Sequence, residues 1–319
     1  MKTKRKRNTT WITSEKYPLP TPRPDTINHI GCSGGKDSTA LLIWAIHESG
    51  YPRESLDVSF CDTGNESPAT YGYLDYLEDA LQIGITRIKP ELDFFELARK
   101  KKRFPSAKAR FCTEELKVNP TTDYIHHLEH QARTLVLHSG VRALESDARA
   151  ELPPESFDQR FGCWVKRPLL RWTISDVWAF HEKYGIKPNP LYAQGLARVG
   201  CFPCHMCVKK EVRKIVTLYP EVIARVAAEE LNPVYGKDRD ATTTFFHHGK
   251  VPKIQRTKEI TSKDGRVMKV ATIDDVARWS QTGKGGVNGD FFFEDIADQE
   301  RLPMGESARS CPSSLGMCE

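Results

Sequence analysis

A short polar loop with the chemistry of phosphate binding lies near the start of the chain. Two glycines stand among two serines, a lysine and an aspartate in the run Ser33-Gly34-Gly35-Lys36-Asp37-Ser38. Glycines let the backbone turn and approach an anion, hydroxyls donate to phosphate oxygens, and lysine supplies positive charge. An apolar run with helical character follows, so the positive end of a helix would face the same anion. We predict that residues 33–38 bind phosphate groups.

This loop differs from the commonest phosphate-binding loop. A Walker A motif, G-x-x-x-x-G-K-[ST], has a glycine five residues before its second glycine and a hydroxyl after its lysine. Those two positions here hold Ile30 and Asp37. A carboxylate beside a polyanion is unfavourable by itself, so we predict that Asp37 caps the loop or contacts a Mg²⁺ ion. The alternative is a glycine turn before a helix that binds no ligand.

Strand-like and helix-like segments alternate around the loop. Residues 26–33, 55–61, 85–90 and 134–140 have the pattern of strands, and residues 39–49 and 71–84 have the pattern of helices. Such alternation predicts an α/β fold with a doubly wound, mostly parallel sheet covered on both faces. Ligands of these sheets bind beyond the carboxyl ends of the strands. The loop, residues 62–66 and residues 139–149 all fall there, so we expect them to share one crevice.

The chain divides into three parts by composition. Residues 1–26 are polar, basic and proline-bearing, and predict an N-terminal arm without a core. Residues 27–195 would form the nucleotide-binding domain. Residues 196–319 would form a smaller, α-rich C-terminal region that carries a cysteine site.

Composition and charge indicate a globular, mildly basic protein. The 319 residues are 39% hydrophobic and 28% charged, with a formal net charge of +5. Neither a long apolar run nor a secretory signal is present, so we expect a cytoplasmic protein without a membrane segment, whose nine cysteines remain reduced. Basic runs begin at Lys2, Ala98 and Val208. They favour a polyanionic partner such as DNA or RNA, and the alternative is solvated charged surfaces.

The motifs together resemble a known enzyme family. The S-G-G-K-D-S loop resembles the PP-loop of the ATP pyrophosphatase (adenine nucleotide alpha hydrolase-like) superfamily. The segments DTGNESPAT, RFCTEELKVNP, GVRALESDAR and WTISDVW, with NPLY and GCFPC after them, resemble those of the phosphoadenosine phosphosulfate (PAPS) reductase family in that superfamily. These segments span residues 30–210 in the family's order. The resemblance implies that the protein binds an adenine nucleotide.

The resemblance also implies which residues surround that nucleotide. It assigns phosphate binding to Ser33, Gly34, Gly35, Lys36, Asp37 and Ser38, and it places Asp62 and Glu66 beside the nucleotide. Four cations, Arg110, Lys117, Arg142 and Arg149, are expected around phosphate or sulfate oxygens, because guanidinium and ammonium groups suit tetrahedral oxyanions. For each arginine, a surface ion pair is the alternative.

Several cysteines have the spacing of metal ligands. Cys201 and Cys204 form a C-x-x-C turn, and Cys311 with Cys318 resembles the C-x6-C-E terminus of other PAPS-reductase-like proteins. These four thiolates would hold Zn²⁺ or a [4Fe–4S] cluster, and the analogy with sulfur-transferring relatives favours the cluster. Cys207 could replace a tail cysteine, Cys163 is a third candidate, and buried reduced thiols are the alternative.

The family resemblance leaves the reaction open. The reductases' E-C-G-x-H tail motif and adjacent Cys-Cys pair are both missing from the sequence. We therefore favour ATP-dependent adenylation, with release of AMP and pyrophosphate, coupled to transfer of sulfur from a donor protein to an acceptor such as nucleic acid. Lys36 and Asp37 would be catalytic, and Cys112 could carry a persulfide because Arg110 lies close to it in the sequence. PAPS reduction to sulfite and a non-catalytic nucleotide- or nucleic-acid-binding module are the alternatives.

Overall fold

The chain forms a six-stranded sheet between helices, followed by a helical C-terminal part with a two-stranded hairpin. The computed structural model describes residues 25–129, 134–235, 244–246, 251–261 and 265–283. The strands are β1 (Thr26–Gly31), β2 (Leu56–Cys61), β3 (Thr86–Ile88), β4 (Thr134–His138), β5 (Glu155–Asp158), β6 (Cys163–Lys166), β7 (Lys258–Thr261) and β8 (Val267–Val270). The helices are α1 (Lys36–His47), α2 (Pro68–Leu81), α3 (Phe94–Lys100), α4 (Phe111–Thr113), α5 (Asn119–Glu129), α6 (Asp147–Ala150), α7 (Ile174–Lys183), α8 (Pro190–Ala193), α9 (Lys209–Leu218), α10 (Pro220–Glu230) and α11 (Ile273–Ser280), with a π-helical segment, Glu114–Val118, between α4 and α5. None of these helices is both long and apolar enough to cross a membrane.

The large sheet has the strand order β3-β2-β1-β4-β6-β5. Every neighbouring pair except β5–β6 is parallel. In the register, Ile30 lies opposite Val58 on one side and His138 on the other. The predicted α/β fold with a mostly parallel sheet is confirmed. The antiparallel edge strand β5 was not anticipated from the sequence.

Side chains alternate between the two faces of this sheet, as the period of a β-strand requires. Ile30, Val58 and Phe60 pack in one cluster with the apolar side chains of α1, α2 and α7. Leu135, Leu137 and Val165 pack in another cluster with α5. The intervening positions of β1 and β2, including His29 and Ser59, therefore face α5 as well.

The largest apolar cluster joins the two parts of the chain that the sequence suggested. It combines Phe94, Phe95 and Phe104 with side chains from residues 191–279, among them Val226 and Trp279. The division at residue 195 stays a prediction, and the two parts share this cluster. The predicted N-terminal arm lies outside the described residues.

A buried glutamate at the end of α10 connects two other segments of the C-terminal part. The Glu230 carboxylate accepts the backbone N–H of Phe245 (2.6 Å) and of Ile273 (2.8 Å), which belong to two different segments. Burial raises the pKa of Glu230 to about 7, although both backbone N–H groups and Lys258 act to lower it. The carboxyl thus titrates near neutral pH in the folded protein.

We expect Glu230 to make folding stability depend on pH. A group whose folded-state pKa is raised contributes stability below its unfolded pKa, and this contribution is lost as the pH rises through the folded pKa. A rise from 4.5 to about 7 corresponds to about 3 kcal/mol. Urea unfolding at several pH values between acid and neutral measures this dependence. The Glu230→Gln variant should lack it, whereas Glu229→Gln, at the preceding position, should keep it. Equal slopes in wild type and Glu230→Gln would contradict the prediction.

Candidate functional site

The polar loop forms a tight turn between β1 and α1. Gly34 has a φ of +75°, and a Cβ added there would lie 3.2 Å from the Thr70 side chain. The Ser33 and Ser38 hydroxyl oxygens are 3.0 Å apart, and Ser38 also donates to the Gly35 carbonyl. No side chain caps α1 through its N-cap residue, Gly35. This arrangement directs the first amides of the helix and two hydroxyls toward one region, which suits an anion.

Side chains from the segment that contains α7 and α8 contact the backbone of the loop. The Asn189 side chain donates to the Gly34 carbonyl (3.2 Å), and the Lys36 amide donates to the Tyr192 hydroxyl (2.8 Å). The Nε2 atom of His181 is 2.9 Å from the Lys36 carbonyl oxygen. Burial is the main factor that lowers the pKa of His181, so the neutral ring donates here. Asn189 and Tyr192 belong to the quoted NPLY segment, but sequence reasoning assigned them no role.

Asp37 lies in a buried ion-pair network. Its two carboxylate oxygens are 2.9 Å from Lys36 Nζ and 2.5 Å from Arg142 Nε. Burial acts to raise the pKa of Asp37, but the two cations outweigh it and the pKa is lowered. The charged groups of Lys36 and Arg142 thus contact Asp37, and the three residues are not among those that line the adjacent cavity. Their roles in phosphate binding and catalysis stay predictions.

A cavity opens between the loop, the sheet and α5. Counted together with the solvent space at its open mouth, it measures about 760 Å³. Four of the predicted nucleotide-contacting residues line it: Ser33, Ser38, Glu66 and Lys117. It is also lined by Gly31, His29, Ser59, Thr121, Gly140 and Gly200. Sequence reasoning placed Gly31 and Gly140 at the strand ends that should share one crevice, but it gave none of the six a role in binding. We name this space the nucleotide cavity.

The other predicted nucleotide ligands lie around the nucleotide cavity without lining it. Asp62 accepts the Tyr71 hydroxyl (2.6 Å) and the Gly64 amide (3.0 Å). Arg149 is buried and pairs with Glu145. Arg110 lies close enough to His205 to help burial lower the pKa of that histidine to about 4.

The C-x-x-C segment packs against the loop that follows β2. Cys201 forms a β-bridge with Glu66, and the Phe202 amide donates to the Asn65 carbonyl (2.5 Å). The Phe202–Pro203 peptide bond is cis. Arg225 donates to both the Asn65 side chain and the Phe202 carbonyl, which ties the two loops together. The residues 62–66 that border the nucleotide cavity are thus in contact with the cysteine segment.

A second cavity contains three of the cysteines. Cys201, Cys204 and Cys207 line it, and it shares Ser33, Lys117 and Gly200 with the nucleotide cavity. We name it the cysteine cavity. Burial raises the pKa of Cys201 and of Cys207 far above the usual value for a thiol. Within the ranges that the structure describes, no group of three or more histidine, cysteine, aspartate or glutamate side chains is placed to hold a metal ion.

The remaining cysteines divide between this region and the core. Cys112 lies close enough to Cys201 to affect its pKa, whereas Cys163 packs in the α5 cluster. Cys32 is buried in the core and also lines the nucleotide cavity. Cys61 lines the nucleotide cavity, and burial raises its pKa to about 11. Cys311 and Cys318 lie outside the described residues.

The chain is similar to proteins of one family over most of its length. The family model described as "Phosphoadenosine phosphosulfate reductase domain" matches residues 28–207. An uncharacterized 37.8 kDa protein of Escherichia phage 186 is 37% identical over 310 residues, which cover 82% of this chain and 90% of the phage protein. Adenosine 5'-phosphosulfate reductase of Streptomyces coelicolor is 29% identical over 150 residues, 47% of this chain and 61% of that enzyme. A crystal structure of phosphoadenylyl-sulfate reductase from Candida auris has a TM-score of 0.44 at 20% identity, and the match covers 57% of this chain and 83% of that one.

Proposed function

Because the chain belongs to the phosphoadenosine phosphosulfate reductase domain family, we propose that it binds an adenine nucleotide, adenylates an acceptor with ATP, and transfers sulfur to that acceptor. The observation that carries the proposal is the shared wall of the two cavities, formed by Ser33, Lys117 and Gly200. This wall puts a phosphate-binding loop directly beside a group of cysteines. Adenylation and sulfur transfer could then take place on one bound substrate.

The phosphates of the nucleotide would bind at the start of α1. The helix amides and the hydroxyls of Ser33 and Ser38 supply neutral donors, and Lys117 supplies positive charge at the cavity wall. Asp37 is not the residue we assign to Mg²⁺, because Lys36 and Arg142 already neutralise it. Glu66 is the carboxylate that lines the cavity. We assign it to the ion, since Mg²⁺ prefers carboxylate oxygens.

The first proposed step transfers AMP to the acceptor. An acceptor oxygen attacks the α-phosphorus, the bond to the bridging oxygen breaks, and pyrophosphate leaves with the bonding electrons. Positioning and neutralisation of charge account for most of the catalysis in such transfers. Lys117 is placed to stabilise the leaving pyrophosphate because it lines the cavity beside the loop.

The second proposed step replaces the adenylated oxygen with sulfur. The terminal sulfur of a persulfide on Cys112, supplied by a sulfur donor protein, attacks the activated carbon and AMP leaves. A second thiol then cleaves the sulfur–sulfur bond, so that the product keeps the sulfur and the protein keeps a disulfide. We assign this cleavage to a thiol of the sulfur donor protein, which then forms the disulfide with Cys112, because Cys201 is proposed below as a metal ligand.

A metal ion or cluster is proposed at the cysteine cavity. Cys201 and Cys204, together with Cys311 and Cys318, would hold it, and bound there a [4Fe–4S] cluster would supply redox or sulfur-carrying chemistry, whereas Zn²⁺ would stabilise the fold.

The reaction is tested by identifying the nucleotide products. The protein, purified without oxygen, would be incubated with labelled ATP or PAPS, with and without DNA or RNA. AMP and pyrophosphate formed only with a polynucleotide support the proposal. Sulfite released from PAPS would instead support the alternative, PAPS reduction. ATP binding without turnover would indicate a binding module.

Substitution of the proposed metal ligands should remove the metal. We expect Cys201→Ser and Cys311→Ser each to reduce bound iron or zinc from about one site per chain to near zero, because a closed structural site needs all four ligands. Elemental analysis and visible absorbance measure this. Cys163→Ala is the matched control, since that cysteine packs in the α5 cluster. Loss of metal in Cys207→Ser but not in Cys311→Ser would favour the ligand set that contains Cys207.

A further inference from the structure

The nucleotide cavity has open space beside Gly31. This residue ends β1, and a Cβ added to it would meet no other atom within 4 Å. Ser59, Leu137 and Thr121 line the same cavity. Gly31 has an ordinary backbone conformation, with φ outside the left-handed region, so its missing side chain leaves room in the cavity and does not serve to form a turn. This room is available to part of a bound ligand.

Two polar side chains of the sheet also line this cavity. Ser59 Oγ and His29 Nε2 are 3.4 Å apart, and both residues line the cavity although they are only 4% and 3% exposed. On the far side of the ring, His29 Nδ1 is 2.6 Å from Asp57 Oδ2. The other oxygen of that carboxylate accepts the Tyr124 hydroxyl at 2.7 Å. Asp57 thus fixes the position of the His29 ring, and Tyr124 fixes the position of Asp57.

These contacts determine which atoms of the pair accept hydrogen bonds. A carboxylate only accepts, so the Nδ1 atom that contacts Asp57 carries a hydrogen, and in the tautomer with its hydrogen at Nδ1 the Nε2 atom is an acceptor. The Ser59 hydroxyl then donates its hydrogen to Nε2. What remains for a ligand is the lone pairs of the Ser59 oxygen. The Ser59 oxygen therefore offers a hydrogen-bond acceptor to a ligand in the cavity.

We propose that Ser59, positioned by His29 and Asp57, reads the amino edge of a purine base that lies on Gly31. The inference rests on the proposed binding of an adenine nucleotide and names the residues that select the base. An exocyclic amino group donates to the Ser59 oxygen. An oxo group at the same position would face an acceptor, and Ser59 could donate to it only by giving up its bond to His29. A buried polar group left unpaired in this way is strongly disfavoured.

The test compares ATP with inosine triphosphate, which differs from ATP at the base edge by an oxo group in place of the amino group. Calorimetric titration of the full chain should give a dissociation constant about 10- to 100-fold lower for ATP. In Ser59→Ala this ratio should fall to within about threefold, while Ser59→Thr, which keeps the hydroxyl, should restore the preference. Pyrophosphate affinity should stay unchanged in every variant, because the loop that binds it is not altered.

A matched control is available in the same strand pair. Ser55 is also buried, but its hydroxyl contacts Asn28 (3.1 Å), whose position alternates with His29 and so belongs to the other face of the sheet. Ser55→Ala should leave the ATP-to-inosine triphosphate ratio at the wild-type value.

The outcomes separate this inference from the proposed function. Equal affinity of the wild-type protein for the two nucleotides would overturn the inference without any variant. A wild-type preference that survives in Ser59→Ala would also overturn it. If neither nucleotide nor pyrophosphate bound, the proposed function would fail and the inference with it.

Discussion

Replacement of Asp37 by asparagine is expected to lower the free energy of unfolding by about 3–5 kcal/mol, the range for breaking a buried ion pair from one side. Asp37 is 1% exposed, and it is the carboxylate shared by Lys36 and Arg142. Its removal would leave the charges of both cations without this carboxylate in a region that excludes water. Urea unfolding of wild type and variant at neutral pH measures the loss.

The dependence of this effect on pH has a definite sign. The pKa of Asp37 is lowered in the folded protein, so its contribution is present above the unfolded pKa, ~3.9, and is lost as the pH falls through the folded value. The difference between wild type and Asp37→Asn should therefore be largest at neutral pH and shrink in acid. Asp75→Asn is the matched control, since that side chain is 72% exposed in its pair with Arg87 and such pairs contribute about 1 kcal/mol or less. Similar losses for the two variants would show that the Asp37 network is not the source of stability inferred here.

Lys117→Met is expected to weaken the binding of both ATP and pyrophosphate by about 10- to 150-fold. A hydrogen bond to a charged partner contributes about 1.5–3 kcal/mol, and about 1.4 kcal/mol corresponds to a factor of ten in affinity. Lys117 lines both cavities and is 9% exposed. Methionine keeps much of the apolar stem and removes the charge, so the fold should be retained. Titration calorimetry with each ligand measures the effect.

The control for this variant is an exposed lysine outside both cavities. Lys108 is exposed at the tip of a short turn closed by two hydrogen bonds between Ser106 and Ala109, and it does not line either cavity. Lys108→Met should bind ATP and pyrophosphate as the wild type does. If Lys117→Met also bound both ligands within about twofold of wild type, Lys117 would have to be removed from the phosphate site.

Local patterns predicted the frame of the candidate site correctly. The glycines after β1 and the apolar run after them predicted a strand, a turn and a helix, and the parallel sheet followed from repetition of this pattern. Each of these features depends on residues close together in the chain. The short strands β5 and β6 were missed because four residues at a sheet edge are too few to show a clear period.

The partners of the charged residues were less predictable. Arg142 and Arg149 follow a strand end, as anion ligands do, and each contacts a carboxylate of the protein that the sequence analysis did not predict. Residue type and position cannot distinguish these outcomes, because the partner of Arg142 is 105 residues away. Alternation in β2 identified Val58 and Phe60 as core, yet gave no sign that Ser59, between them, faces a cavity. The cavity forms between this face of the sheet and α5, so it depends on how α5 packs and not on the sequence of β2 alone.

The segment that matches the family is shorter than the segment that packs around the shared apolar cluster. The family match ends at residue 207, whereas the cluster that buries Phe94 and Phe104 extends to Trp279. A chain cut at the limit of the match would expose those aromatic rings to water. A form of this chain that kept only the matched segment would therefore need some other structure to cover this surface, and that structure could differ in sequence as long as it buried the same apolar area.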